Sequence, residues 1–103
     1  MQKVYSITNN KLFKIDFGLK EQIQRAAVSC MSNVAEGFDS GTDQQFIQFL
    51  VYAKRSASEV QSILYVAADL NYINKQEFEE IYNLAISVRK LCSGFIKYLK
   101  GSH

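Results

Sequence analysis

The clearest order in the chain lies near its C-terminal end, where Phe78, Ile81, Ala85, Val88, Cys92, Phe95 and Leu99 recur at steps of 3, 4, 3, 4, 3 and 4. That spacing is one apolar stripe on a helix. Asn74-Lys75-Gln76-Glu77 marks its start, because an Asn followed three residues later by Glu can form a capping box. Lys97 and Lys100 suit the negative end of the helix dipole, and Gly101 is the expected stop. A second stripe runs through Phe46, Leu50, Ala53, Ala57, Val60, Leu64 and Ala67, with Thr42-Asp43-Gln44-Gln45 as its capping box. Ile47, Val51, Tyr52, Ile63 and Val66 lie outside that stripe, so this helix needs more than one neighbour to bury against.

A third stripe, Leu19, Ile23, Ala26, Cys30 and Val34, predicts a helix from about residue 17 to residue 36. Its small residues, Ala26, Ala27, Ser29, Ser32 and Ala35, allow close approach and predict a central place for it. Gly37 is the expected left-handed residue that ends it. Residues 1–15 fit no long helix, and one or two turns followed by an extended connection are expected there. The expected organisation is therefore an N-terminal stub and connection over 1–16, a helical bundle over 17–100, and a tail or tag remnant over 101–103. The fold class is all-α: an antiparallel up-down bundle of three long helices with a short, truncated first helix. Such a stub leaves a core face open, to be covered by a partner or another copy of the chain.

At 103 residues, 48% of them apolar and 21% charged, the composition is that of one globular domain. No apolar run nears the roughly 20 residues that span a bilayer, and the N-terminus has no signal-peptide core. The expectation is a cytoplasmic protein with no membrane contact. Cys30 and Cys92 lack metal-ligand spacing and are expected reduced and buried. His103 is the single histidine, so neither a His-based metal site nor a Ser–His triad is expected, and no cofactor is implied. Glu36 and Glu59 are the internal carboxylates worth weighing for acid–base chemistry. Either they pair in a cleft, or Glu36 accepts structural hydrogen bonds and Glu59 packs at an interface. No nucleophile, histidine or metal ligand accompanies them, and the chain is read as having no catalytic residues and no enzymatic activity.

The net charge of +2 decides little by itself, but the cations are grouped. Lys20 and Arg25 share the first long helix, Lys54 and Arg55 are adjacent on the second, and Arg89 and Lys90 on the third. These six are the candidate nucleic-acid contacts, through a phosphate backbone; the alternative is a solvated face balanced by Asp69, Glu77, Glu79 and Glu80. Tyr52, Tyr65, Tyr72 and Tyr98 are either base-stacking platforms or interface residues.

Two runs, Gln22 to Ser29 and Ser32-Asn33-Val34-Ala35-Glu36-Gly37-Phe38, resemble the hallmark of a bacterial family, the four helix bundle proteins encoded in intervening sequences of 23S ribosomal RNA genes. The accessory protein of diversity-generating retroelements is related to that family. The resemblance continues through residues 46–50, 53–59, 69–73 and 91–99, and covers about residues 17–100. Family members open with a long first helix, of whose end only residues 3–8 are similar here. The resemblance implies a helical bundle assembled as a homo-oligomeric ring, commonly a pentamer, without catalytic residues. It implies association with RNA, or with a nucleic-acid-processing protein. The function expected is thus an RNA-associated scaffold, with a protein-interaction module of the reverse-transcriptase accessory type as the alternative. Ser32, Asn33, Glu36 and Gly37 are the structural hallmark, with Asn33 and Glu36 expected to organise the helix end and its contact with Arg25 or Ser56.

Overall fold

The computed structural model describes residues 2–101, which fold as five helices: α1 (Gln2–Ile7), α2 (Lys11–Ile15), α3 (Phe17–Asp39), α4 (Asp43–Asp69) and α5 (Lys75–Gly101). The three long helices follow the three apolar stripes and run antiparallel, up and down, in a bundle 49 Å long. Both capping boxes form. Asn74 Oδ1 accepts from Glu77 N at 2.8 Å while Glu77 Oε1 accepts from Asn74 N at 2.9 Å. Thr42 Oγ1 accepts from Gln45 N at 3.1 Å, and the Gln45 side chain reaches back one residue further, to Gly41 N. Helix α5 remains helical through Gly101, the last described residue, so Gly101 belongs to the bundle. Ser102 and His103, the rest of the expected tail, lie outside the described residues.

Two expectations about chain turns are corrected. No glycine among the described residues has positive φ, and α3 continues through Gly37 to Asp39. A side chain at Gly37 would lie 2.9 Å from Cδ1 of Phe46 and 3.4 Å from Cβ of Phe49, so this glycine exists for the close approach of α4. Ser40 ends the helix instead, its hydroxyl donating to the Gly37 carbonyl at 2.6 Å. The left-handed residue sits at the next turn: Asn71, φ 60°, a residue type that tolerates this conformation. Around it Tyr72 N bonds the Ala67 carbonyl and Asn71 N the Ala68 carbonyl, the paired bonds of a Schellman motif.

The N-terminal segment is not an extended connection. It forms α1 and α2, which bury Val4, Ile7, Thr8 and Phe13 in the same core as α3 and α4. Polar ties hold it there. Gln24 donates to the Thr8 hydroxyl at 2.9 Å, and Lys3 pairs with Glu80 at 2.8 Å. Asn10 donates to the Tyr72 carbonyl and to the Glu77 carboxylate. Asp16 caps α3 through Leu19 N and accepts the Tyr72 hydroxyl at 2.9 Å, a bond that raises the phenol's pKa. The Lys3 bond holds the Glu80 carboxyl below its usual range.

The central element is α4, which packs on both α3 and α5; the small-residue helix α3 lies to one side. The core has two halves. Ile23, Ala26, Ala27, Val60, Leu64 and Ile81 fill the half that α1 and α2 cover. Cys30, Leu50, Ala53, Ala57, Ala85 and Cys92 fill the other, where Phe38, Phe46 and Phe95 close the end with ring centroids 5.0–5.9 Å apart. Both thiols are free and buried. Burial pushes the Cys30 thiol up, with Cys92 adding to the effect; burial also raises Cys92, against a smaller opposing pull from Lys54.

Gly37→Ala tests the close approach. Crowding Phe46 costs about 1–3 kcal/mol against a helix-propensity gain of about 0.5–1 kcal/mol, so a lower Tm is expected by thermal melting, whereas a Tm at or above wild type contradicts this packing. The buried thiols should react with a thiol reagent only as fast as the protein opens. Their raised pKa values make a stability contribution that is fully present below the ordinary thiol value of 9.0 and is lost as pH rises through the raised ones. Immediate labelling of both cysteines in the folded protein at neutral pH contradicts that arrangement.

Candidate nucleic-acid interface

From Ile81 to Gly101, α5 carries no carboxylate and four cations: Arg89, Lys90, Lys97 and Lys100. The core stripe of α5 turns toward α4, which sets Arg89 and Lys90 beside Lys54 of that helix. Lys54, Ile86, Arg89, Lys90 and Ser93 line a hollow of about 340 Å³. The Arg89 guanidinium is fixed by donating to Oε1 of Gln61 at 3.0 Å, and Gln61 is itself buried in α4. Among the described residues Lys54 and Lys90 have no ion-pair partner. Three cations converge with a hydroxyl on a concave surface that has no acid in its lining. Such a surface holds an anion with several oxygens, and the phosphodiester of a nucleic acid is one.

The hollow gathers three of the six cations expected as phosphate contacts. The other three stand apart. Arg25, on α3, is bound to Glu21 one turn away at 2.6 Å. Lys20, also on α3, is partly buried and is not in the lining. Arg55 points away from the hollow, with its guanidinium 6.0 Å from the centre of the Tyr52 ring. Ser93, Gln61 and Lys97 were missed by sequence reasoning, although Ile86, Lys90, Ser93 and Lys97 carry a signal, a second stripe at steps of 4, 3 and 4. A neighbouring hollow on α5 is lined by Lys90, Leu91, Gly94, Phe95 and Tyr98. Tyr98 was among the tyrosines weighed for stacking and is 67% exposed, whereas Tyr65 and Tyr72 are engaged by Tyr82 and Asp16.

The hallmark residues divide. Asn33 donates to the Ser29 carbonyl at 2.8 Å and to the Ser29 hydroxyl at 3.2 Å, and that hydroxyl meets Ser56 of α4 at 2.9 Å. Asn33 therefore does organise the contact with Ser56, through Ser29, and Gly37 seats the Phe46 ring. Glu36 does not share the role: it is exposed, and among the described residues it makes no hydrogen bond or ion pair with Arg25 or any other group. Ser40 occupies the position of the helix-ending residue that Glu36 was expected to support. Ser32 is exposed as well, and its side chain holds no partner. Glu36 lines a shallow polar hollow with Asp39, Gln45 and Tyr52 that does not include Glu59, so the two carboxylates are not brought together. Among the described residues no three His, Cys, Asp or Glu side chains converge as metal ligands, and no helix is long and apolar enough to cross a membrane.

Comparison with known proteins gives this geometry a family. The chain resembles a crystal structure from Bacteroides thetaiotaomicron, a protein with unknown function from the S23 ribosomal protein family. The two superpose with a TM-score of 0.83 at 26% identity, over 91% of this chain and 85% of the other. No curated protein matches the sequence. The family model of the 23S rRNA-intervening sequence protein matches residues 1–94, from α1 through most of α5 and across the Lys54–Arg89–Lys90 hollow. The chain belongs to the 23S rRNA-intervening sequence protein family.

Proposed function

We propose that the protein is a non-enzymatic, RNA-associated scaffold that works in the cytoplasm as a homo-oligomer. The observation that carries this reading is the hollow of Lys54, Arg89, Lys90 and Ser93, in which three cations converge without a carboxylate. Phosphates of the RNA backbone bind there, independently of sequence, and release counterions as they do so. Family membership supports the choice of RNA over other polyanions, since the family is described by its place in 23S rRNA. Copies associate through the apolar surface that α1 leaves uncovered on α3, where Tyr5, Val28 and Met31 are each about half exposed around one shallow hollow. A ring, with five copies favoured, repeats the basic hollow around its circumference and multiplies a net charge of only +2 per chain. The same apolar surface favours one second reading, a module that docks a nucleic-acid-processing protein without touching nucleic acid.

Affinity for a structured RNA, titrated over several salt concentrations, tests the first reading. Log affinity should fall linearly with log salt, and Lys54→Gln/Arg89→Gln/Lys90→Gln should make that slope shallower by about 2–3, at 0.7–0.9 per phosphate contact. A Lys20→Gln/Arg25→Gln protein should keep the wild-type slope. Absence of binding at low salt overturns the RNA reading and leaves the protein-docking one. Light scattering tests assembly: wild type should have the mass of a closed oligomer and Met31→Glu that of a smaller species. A wild-type protein of 11.7 kDa mass in solution contradicts it.

A further inference from the structure

Gly94 is the least explained residue in the bundle. It sits inside α5, seven residues before the helix's last described residue, where glycine costs about 0.5–1 kcal/mol relative to alanine. Nothing in the chain's own packing requires it, because a side chain built there meets no atom within 4 Å. Contrast Gly37, where the same test finds Phe46 at 2.9 Å. The missing side chain at Gly94 leaves a notch on the outer face of α5. Leu91 and Tyr98, one turn on either side, are its walls, with 66% and 67% of their surfaces exposed. Lys90 lines the notch at one end, and Lys97 lines the hollow that continues it at the other. Among the described residues the Tyr98 ring stacks on no other ring, its hydroxyl bonds to nothing, and neither lysine has a carboxylate partner. Phe95, beside it, is held by Phe38 and Phe46 and is less free.

We propose that this notch takes one unpaired base of a single-stranded RNA segment, seated over the bare Gly94 backbone and stacked on Tyr98, with the adjoining phosphates on Lys90 and Lys97. The proposal rests on the RNA reading above and adds to it the kind of RNA. A duplex hides its base faces inside the stack and can use only the cations, whereas a single strand offers a flat apolar face at every nucleotide. Stacking on one ring is tolerant of sequence, as suits a site with no side-chain amide or carboxylate to read a base edge. From the notch the strand continues across Lys90, which also lines the Lys54–Arg89–Ser93 hollow, so the next phosphates reach the cations already described. Tyr98 and Lys97 lie past residue 94, where the family match ends, and the notch is read from this chain's own residues.

Two RNA probes separate the readings: a 12-nucleotide oligouridine and a 12-base-pair RNA duplex, each measured by fluorescence anisotropy at one fixed salt concentration. Gly94→Ala fills the notch with a methyl group and removes a helix-weakening glycine. It should raise Tm by about 2–6 °C while weakening oligouridine binding about 10-fold and leaving duplex binding within about twofold. Tyr98→Ala should weaken oligouridine binding to a similar degree, and Tyr98→Phe should restore it, because the ring and not the hydroxyl is used. Wild-type affinity of Gly94→Ala and Tyr98→Ala for oligouridine overturns the inference while the RNA reading stands on the duplex. Equal losses for both probes, or a change in oligomer mass on either substitution, also overturn it and mark this face as a contact between copies. Failure of wild type to bind either probe overturns the inference and the RNA reading together.

Discussion

Everything in this bundle depends on α4 being buried along two flanks at once. Ala53, Ala57, Val60, Leu64 and Ala67 have essentially no exposed surface, and on this one helix both α3 and α5 are laid. Burial of that stripe is the main favourable term available to a chain of this size. Small residues bring the α3–α4 pair close, with Gly37 against Phe46 and the Ser29 and Ser56 hydroxyls 2.9 Å apart. Because α5 is held through a single stripe, the rest of its circumference faces outward. The cations and the exposed aromatic ring of the candidate site lie on that outward surface, on a support whose rigidity comes from the core stripe beneath it.

The short N-terminal helices explain why the two ends of the bundle differ. α1 and α2 cover one half of the core and are tied there by a polar node in which Asn10, Asp16, Tyr72 and Glu77 each satisfy another's donor or acceptor. The same Glu77 closes the capping box of α5, so the turn, the cap and the N-terminal segment are fixed by one set of bonds. At the far half no short helix lies over the core, which closes with the three rings of Phe38, Phe46 and Phe95 and two buried thiols. Raised thiol pKa values keep that half neutral where a thiolate would demand water. The exposed Tyr98, and the cations of α5 from Arg89 onward, follow from this half being capped by side chains rather than by another helix.

The long helices and their capping boxes were legible because periodicity and caps are local, each decided within a few residues. The family was legible too, in the run from Arg25 to Gly37. The role of Gly37 within that run was not, since a glycine that ends a helix and one that admits a neighbour look alike until the neighbour is placed. The same limit hid α1 and α2: Val4, Ile7 and Phe13 make too short a pattern to declare a helix, and only the core they complete gives them one. Lys54 and Arg89 are 35 positions apart and meet because α4 and α5 run antiparallel in one register, which no local pattern states. Glu36 shows the opposite error. It sits in the most specific stretch of the sequence, yet its carboxylate faces water.

The central claim is that RNA meets the outward surface of α5. Ultraviolet cross-linking of the oligomer to a uridine-rich RNA, followed by mass spectrometry of the linked peptides, reads the contact directly. The account predicts linked nucleotides on the peptides that span Arg89 to Lys100, with Tyr98 the principal cross-linked residue. Cross-links confined to α3, around Lys20 and Arg25, would contradict it.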